Sequence, residues 1–207
     1  MKDCGCQEPH ERKRVVLTGG PGAGKTAVLE LVRQSLCKHL WIVPESAGIL
    51  FGGGFPRGGA VVQRRAAQRA IYFVQRELEE SVATQDLAIA LCDRGTIDGE
   101  AYWPGPDDLW SAVGTTKTAE LKRYDAVIHL RTPRNDSGYN RDNPLRVEEA
   151  SEALSIDERI ASAWSQHPRR HIVPSAADFV AKAQAAIALL RQEMPECCRR
   201  HMGVPPG

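Results

Sequence analysis

Long hydrophobic stretches are missing from this sequence. No apolar run exceeds the length of Leu87–Cys92, far short of the roughly 18 residues that a membrane-spanning helix needs. Met1–Arg14 is polar and charged and lacks the hydrophobic segment of a secretory signal. A surplus of charge is missing too. Lys and Arg number 27 against 26 Asp and Glu, a net +1, so no global field draws the chain to nucleic acid or to a lipid surface. The cysteines lack the spacing of a metal finger, because no CxxC pair and no His-x-His pair occurs. Cys4, Cys6, Cys197 and Cys198 lie near the polar ends, and Cys37 and Cys92 fall inside apolar patterns. They read as reduced thiols rather than as a disulfide framework or a zinc site. These absences lead to the expectation of a soluble cytoplasmic protein without nucleic-acid or membrane partners.

What remains is an ordinary globular composition. With 207 residues, 42% apolar and 26% charged, the chain can bury a substantial core without staples. We expect one domain over residues 12–193, a flexible tail at 1–11 and a disordered one at 194–207. Short apolar runs alternate with helical patterns. Val15–Thr18, Trp41–Val43, Leu87–Cys92, Ala126–Leu130 and Arg170–Val173 read as strands. Lys25–Leu40, Ala60–Gln85, Ser151–Gln166 and Asp178–Glu193 read as helices, with apolar residues three and four apart. Gly95–Lys122 is mixed, and 132–146 reads as a loop. Strands alternating with helices imply a parallel sheet covered on both faces, a three-layer α/β fold.

Between the first strand and the first helix lies Gly19-Gly20-Pro21-Gly22-Ala23-Gly24-Lys25-Thr26, a match to the phosphate-binding pattern G-x-x-x-x-G-K-[ST]. Glycines let the backbone wrap a polyphosphate, so that amide N–H groups and the helix N-terminus face the anion. Residues Gly20 to Thr26 are therefore the expected nucleotide contacts. Lys25 supplies a positive charge for the outer phosphates, and the Thr26 hydroxyl is a candidate ligand for Mg2+. Asp93 closes the third strand and is the second candidate metal ligand, since a carboxylate there points into the ligand crevice. A motor ATPase would carry a Glu directly after it to activate water; here Arg94 follows. The guanine-reading [NT]-K-x-D pattern is absent, because Thr116-Lys117-Thr118-Ala119 lacks the Asp.

Other candidates surround this core. Glu45, at the end of the second strand, is either a base that orients a phosphate acceptor or a cap for the following turn. Gly52–Gly59 is either a flap over a substrate or a connector. Arg131, Arg134, Arg141 and Arg146 follow the fourth strand, with Tyr139, Asn140 and Asn143 among them. They form either an arginine lid, in which Arg131 and Arg141 would act on the transferred phosphoryl group, or a solvated loop. Tyr102, Trp103 and Trp110 could wall an acceptor pocket or fill the edge of a core.

Gly19–Thr26, Val43-Pro44-Glu45, Phe51–Arg57, Cys92-Asp93-Arg94-Gly95, Tyr102-Trp103-Pro104-Gly105 and Asn143-Pro144-Leu145-Arg146, extended by His167-Pro168-Arg169-Arg170 and Asp178-Phe179, together resemble a kinase-like P-loop family that carries the AAA-domain label. That family is related to nicotinamide riboside kinases and to deoxynucleoside and nucleotide kinases. The resemblance spans about residues 12–192. It implies a five-stranded parallel sheet in the order 2-3-1-4-5, an arginine lid and a purine contact near Pro174–Ala177. Together with the motif it leads to the expectation of an Mg2+-requiring phosphotransferase using ATP or GTP on a nucleoside-like or other hydroxyl or phosphate acceptor. The alternative is a nucleotide-binding regulatory module or slow NTPase without a small-molecule acceptor.

Overall fold

The computed structural model describes residues 6–133, 144–176 and 178–201. Five strands, β1 (Lys13–Thr18), β2 (Leu40–Val43), β3 (Ile89–Asp93), β4 (Ala126–Leu130) and β5 (Arg170–Val173), form one sheet in the order β2-β3-β1-β4-β5. Every pairing is parallel. This is the expected three-layer fold and strand order. The helices are α1 (Lys25–Ser35), α2 (Ser46–Gly52), α3 (Val61–Ser81), α4 (Asp98–Tyr102), α5 (Leu109–Val113), α6 (Lys117–Leu121), α7 (Pro144–Ala163), α8 (Phe179–Glu193) and α9 (Glu196–His201).

The runs Val15–Leu17 of β1 and Ile89–Cys92 of β3 are apolar without interruption because both faces of the central strands are covered. Val15, Leu17, Ile89, Leu91, Ala126, Ile128 and Leu130 pack with Val28, Val32 and Leu36 of the α1 segment and with Ala183, Ala186 and Leu190 of α8. The alternate residues Val16, Ala90, Cys92 and Val127 face the opposite layer, with Tyr72, Leu109, Ile160 and Trp164. The register pairs Leu17 with Asp93, Thr18 with His129, Val43 with Cys92 and Leu130 with Val173. The C-terminal ends of all five strands therefore meet along one rim, where ligands bind in open α/β sheets.

Several elements differ from the sequence expectation. Helix α1 stops at Ser35 rather than Leu40, because Leu36 turns extended (φ −102°, ψ 165°) and feeds the chain back into the sheet. Helix α7 begins at Pro144, a residue favoured in a first helical turn, rather than at Ser151. The mixed stretch resolves into α4, α5 and α6. The Asp108 side chain caps α5 through the Ser111 N–H, and Thr116 caps α6 through the Ala119 N–H. Each of these helices is too short to show a period. The ends differ most from the expected tails. Residues 196–201 are helical, and Cys198 is fully buried in the same core as Cys6.

Trp164 is the largest fully buried side chain and packs edge-on against Tyr124, with ring centroids 5.4 Å apart. Its indole N–H has no hydrogen-bond partner among the described residues, so its contribution is packing. Trp164→Ala should lower unfolding stability by about 3–5 kcal/mol. Urea denaturation would measure this, and a loss under about 1 kcal/mol would show that the layer between β4 and α7 can collapse around the void.

Candidate active site

The turn from β1 into α1 is built on glycines with positive φ. Gly19 lies at φ 143° and Gly24 at φ 93°. A Cβ at Gly19 would stand 2.2 Å from the Leu130 carbonyl oxygen, and one at Gly24 would stand 2.7 Å from the Phe179 ring. The loop thus packs tightly between the β4 end and α8, which only glycine permits. Its outer side is tied down by groups from three other segments. The Gly20 N–H donates to Asp157 Oδ1 at 2.9 Å. The Thr132 hydroxyl donates to the Pro21 carbonyl at 3.2 Å. The buried Lys182 ammonium donates to the carbonyls of Ala23, at 2.9 Å, and Arg131, at 2.6 Å. The N–H groups of Lys25 and Thr26, in the first turn of α1, have no partner four residues back and face the anion position.

Asp157 organises this outer side. It is fully buried and accepts from Gly20 N, from Thr132 N at 3.2 Å and from His129 Nε2 at 2.8 Å. It also pairs with Arg131 Nε at 2.9 Å. Burial alone would raise its pKa, but the His129 bond and the backbone N–H donors outweigh burial and hold it below the ordinary carboxylate range.

The inner side faces β3. Burial raises the Asp93 carboxyl to about 6, against the pull of Lys25 and with a push from Glu45. Its Oδ1 is buried and has no hydrogen-bond partner among the described residues. Burial lowers the Lys25 ammonium to about 8, as does the neighbouring Arg94, while Asp93, Asp98 and Glu45 oppose the shift. Lys25 Nζ donates to the Gly19 carbonyl at 3.0 Å. Arg94 sits at φ 70°, the sole non-glycine residue with positive φ among those described. Such a conformation costs of order 1–3 kcal/mol and is found at functional sites. Its Nε donates to Glu45 Oε1 at 2.7 Å, Nη1 lies 3.5 Å from Asp98 Oδ1, and the guanidinium stands 5.7 Å above the Tyr102 ring. Asp98 is held in turn by the Thr18 hydroxyl and by the Gly95 N–H at 2.8 Å.

Glu45 occupies the N-cap position of α2 but makes no capping bond, which removes the capping alternative. Beside it opens a cavity of about 230 Å³ lined by Glu45, Phe51, Arg57, Gln75, Arg94 and Tyr102, among others. Arg57 lies over the Phe51 ring at 4.3 Å, so the glycine-rich segment contributes one wall of the cavity. Tyr102 lines it as well. Trp103 and Trp110 do not, since their indole N–H groups go to the Asp107 carbonyl at 2.6 Å and to Glu100 Oε2 at 3.1 Å.

The expected residues thus fall into three sets. Gly20, Pro21, Gly22, Ala23, Gly24, Lys25 and Thr26 form the loop, and Glu45, Asp93 and Arg94 stand opposite it. Arg131 is turned away: it pairs with Asp157 and Glu158 of α7. Arg141, with Arg134, Tyr139, Asn140 and Asn143, lies outside the described residues, as does Ala177 of the expected purine contact. The sequence reading missed Asp98, Asp157 and Lys182. Asp157 carried a signal, because it shares the buried stripe of Ile160 and Trp164 at spacings of three and four, where a carboxylate needs a partner.

A family model described as "AAA domain" matches residues 14–182. Comparison with curated protein sequences finds no match. Among solved structures, deoxyadenosine kinase from M. mycoides, determined with bound dATP, superposes at TM-score 0.54 with 14% identity over 86% of this chain and 98% of its own. Thymidylate kinase from Candida albicans gives TM-score 0.54 at 13% identity, over 87% and 92%. Thymidylate kinase from Ehrlichia chaffeensis gives 0.55 at 15%, over 86% and 98%. At these identities the likeness is one of fold. Among the described residues no helix is long and apolar enough to cross a membrane.

The sign of one pH effect follows from Lys25. A polyphosphate favours the charged ammonium, so affinity holds below about pH 8 and falls as pH rises through the value of the empty site. The limiting slope is about tenfold per pH unit until the pKa of the bound state is reached. Calorimetric titration with a non-hydrolysable nucleoside triphosphate should show this alkaline limb. Lys25→Ala should lose both the limb and most of the affinity while melting like the parent. A limb that persists in the variant would place its origin elsewhere.

Proposed function

The chain belongs to the AAA-domain family, and on that premise we propose that it is a P-loop phosphotransferase, a cytoplasmic enzyme that moves the γ-phosphoryl group of ATP, or alternatively GTP, to an acceptor held in the cavity beside Glu45. The observation that carries this reading is the second compartment. A partly open, aromatic-walled cavity has the Glu45–Arg94 pair in its lining, and both residues act electrostatically on Lys25 of the loop. An enzyme that transfers phosphoryl to water has no use for such a chamber. Phe51, Tyr102 and Tyr72 offer faces for a flat ring, and Gln68, Gln75 and Arg57 offer polar contacts, which suits a nucleoside-like hydroxyl or phosphate acceptor. The fold shared with nucleoside and nucleotide kinases agrees with this choice.

In this reading Lys25 and the loop amides bind the β- and γ-phosphates. Three carboxylates, Asp93, Asp98 and Glu45, face two cations, Lys25 and Arg94. That balance, with the unpartnered Asp93 oxygen, suits a divalent cation entering with its nucleotide. Asp93 and Thr26 would hold Mg2+, which when bound would offset phosphate charge. Arg94 neutralises charge on the transferred group. Glu45 orients the acceptor hydroxyl and takes its proton; in a loose transition state this positioning matters more than full deprotonation. We assign the closing role over the phosphates to Arg141, because Arg131 is engaged with α7.

Glu45→Gln keeps the shape and removes the charge. Nucleotide affinity should stay within about twofold, and the transfer rate should fall about a hundredfold or more. Melting should shift little, since a partly exposed ion pair contributes about 1 kcal/mol or less. The assay is ADP release across a panel of nucleosides and nucleoside monophosphates. Tight nucleotide binding with no acceptor raising ADP release would replace the kinase reading with a nucleotide-dependent binding module.

A further inference from the structure

At the opposite edge of the sheet, where β1, β2 and β3 begin, the two ends of the chain meet. Cys6 and His10 precede β1, while Cys197 and Cys198 sit on α9. Their ligand atoms, three sulfurs and one imidazole nitrogen, all lie within 4.8 Å of one another. His10 Nε2 is 3.3 Å from Cys197 Sγ, 3.5 Å from Cys198 Sγ and 3.7 Å from Cys6 Sγ. We propose that Cys6, His10, Cys197 and Cys198 form a structural zinc site that staples the two chain ends together.

Cys198 Sγ also stands 3.5 Å from His39 Nδ1, but the convergence on His10 is unlike that of a simple hydrogen bond. One imidazole nitrogen carries either a single lone pair or a single N–H, yet three sulfurs converge on this one. A shared cation does account for it. With Zn–S near 2.3 Å and Zn–N near 2.0–2.1 Å, a tetrahedron places nitrogen and sulfur about 3.6 Å apart. The three observed separations bracket that value. Three thiolates and one imidazole are the donor set of closed structural zinc sites. Most of the donor set is buried: Cys198 is 0% exposed, Cys6 8% and the His10 side chain 2%, while Cys197 is half-buried.

The outer groups fit as well. With Nε2 on the metal, Nδ1 of His10 carries the proton. It is buried without a hydrogen-bond partner among the described residues, and the Asp86 carboxylate lies 3.7 Å away. A carboxylate behind a ligating histidine fixes its tautomer and orientation. The His39 ring packs on His10 at 4.6 Å between centroids. Binding would release the three thiol protons to solvent, with no change of oxidation state. The position, remote from the phosphate rim, makes this a stability device and not part of the transfer chemistry.

The test uses the full chain produced without chelator. Elemental analysis should find about one zinc per chain. Replacement by Co2+ should give the thiolate-to-metal charge-transfer absorption and intense visible bands of a tetrahedral sulfur site. Chelation should lower the melting temperature by several degrees and leave nucleotide affinity within about twofold. Cys197→Ser should reduce zinc affinity at least a hundredfold, and Asp86→Asn about tenfold with the ion still bound. The Co2+ spectrum of the parent chain keeps the proposal testable if a cysteine variant fails to fold. A parent chain without zinc or the thiolate spectrum, an ion that survives Cys197→Ser unchanged, or a disulfide joining Cys6 to Cys197 would each overturn it.

Discussion

A phosphate-binding loop has to satisfy two demands that conflict. Its amides must stay free for a ligand, while the rest of its backbone is packed against neighbouring elements and needs partners there. In this chain Asp157 resolves much of the conflict. It takes the Gly20 N–H on the outer side of the loop and the Thr132 N–H that follows β4, and it stays charged because His129 and Arg131 face it. Removing it would orphan buried donors at about 1–3 kcal/mol each. Lys182 does the same for loop carbonyls, with an ammonium anchored between Ala23 and Arg131. The loop is therefore held by α7 and α8 rather than by its own turn, and its inner side is left to the ligand.

That clamp also joins parts of the site that the chain keeps far apart. Asp157 on α7 holds Gly20 of the loop and Thr132 beyond β4 together. On the other side of the loop, Gln75 of α3 donates to the Arg94 carbonyl at 3.3 Å. Behind it Glu79 and Glu120 tie Tyr124, Thr96, Tyr72, Arg76 and Arg123 into one buried network. The cavity beside Glu45 thus has this network behind it and the glycine-rich segment as another wall.

How much of this was legible depended on whether the signal was local. The phosphate loop, the strands β4 and β5 and the strand-end carboxylate Asp93 are properties of a few consecutive residues, and they could be read directly. Glu45 and Arg94 could be located at the ends of neighbouring strands, but not their mutual contact, because that depends on the left-handed turn at Arg94. Arg131 misled as well: a cation at a strand end suits a phosphate as well as it suits Asp157, and only the placement of α7 decides between them. The proximity of the terminal cysteines was not legible at all. Cys6 and Cys197 belong to opposite ends of the chain, and no spacing rule connects them until the sheet brings both ends under its N-terminal edge.

The left-handed backbone at Arg94 shows what the site is organised to receive. A chain leaving β3 in an ordinary extended conformation would carry the residue after Asp93 along the strand direction. The turn at φ 70° instead sets the guanidinium among Glu45, Asp98 and Tyr102. The protein bears of order 1–3 kcal/mol of backbone cost to place a cation there. It then offsets that cation with two carboxylates, Glu45 and Asp98, so that its charge is opposed beside Lys25. Such a cation is held ready for an anion rather than used to build the core. Because Arg94 is bonded to Glu45 in the cavity lining and lies close enough to Lys25 to lower its pKa, it links the loop to the cavity.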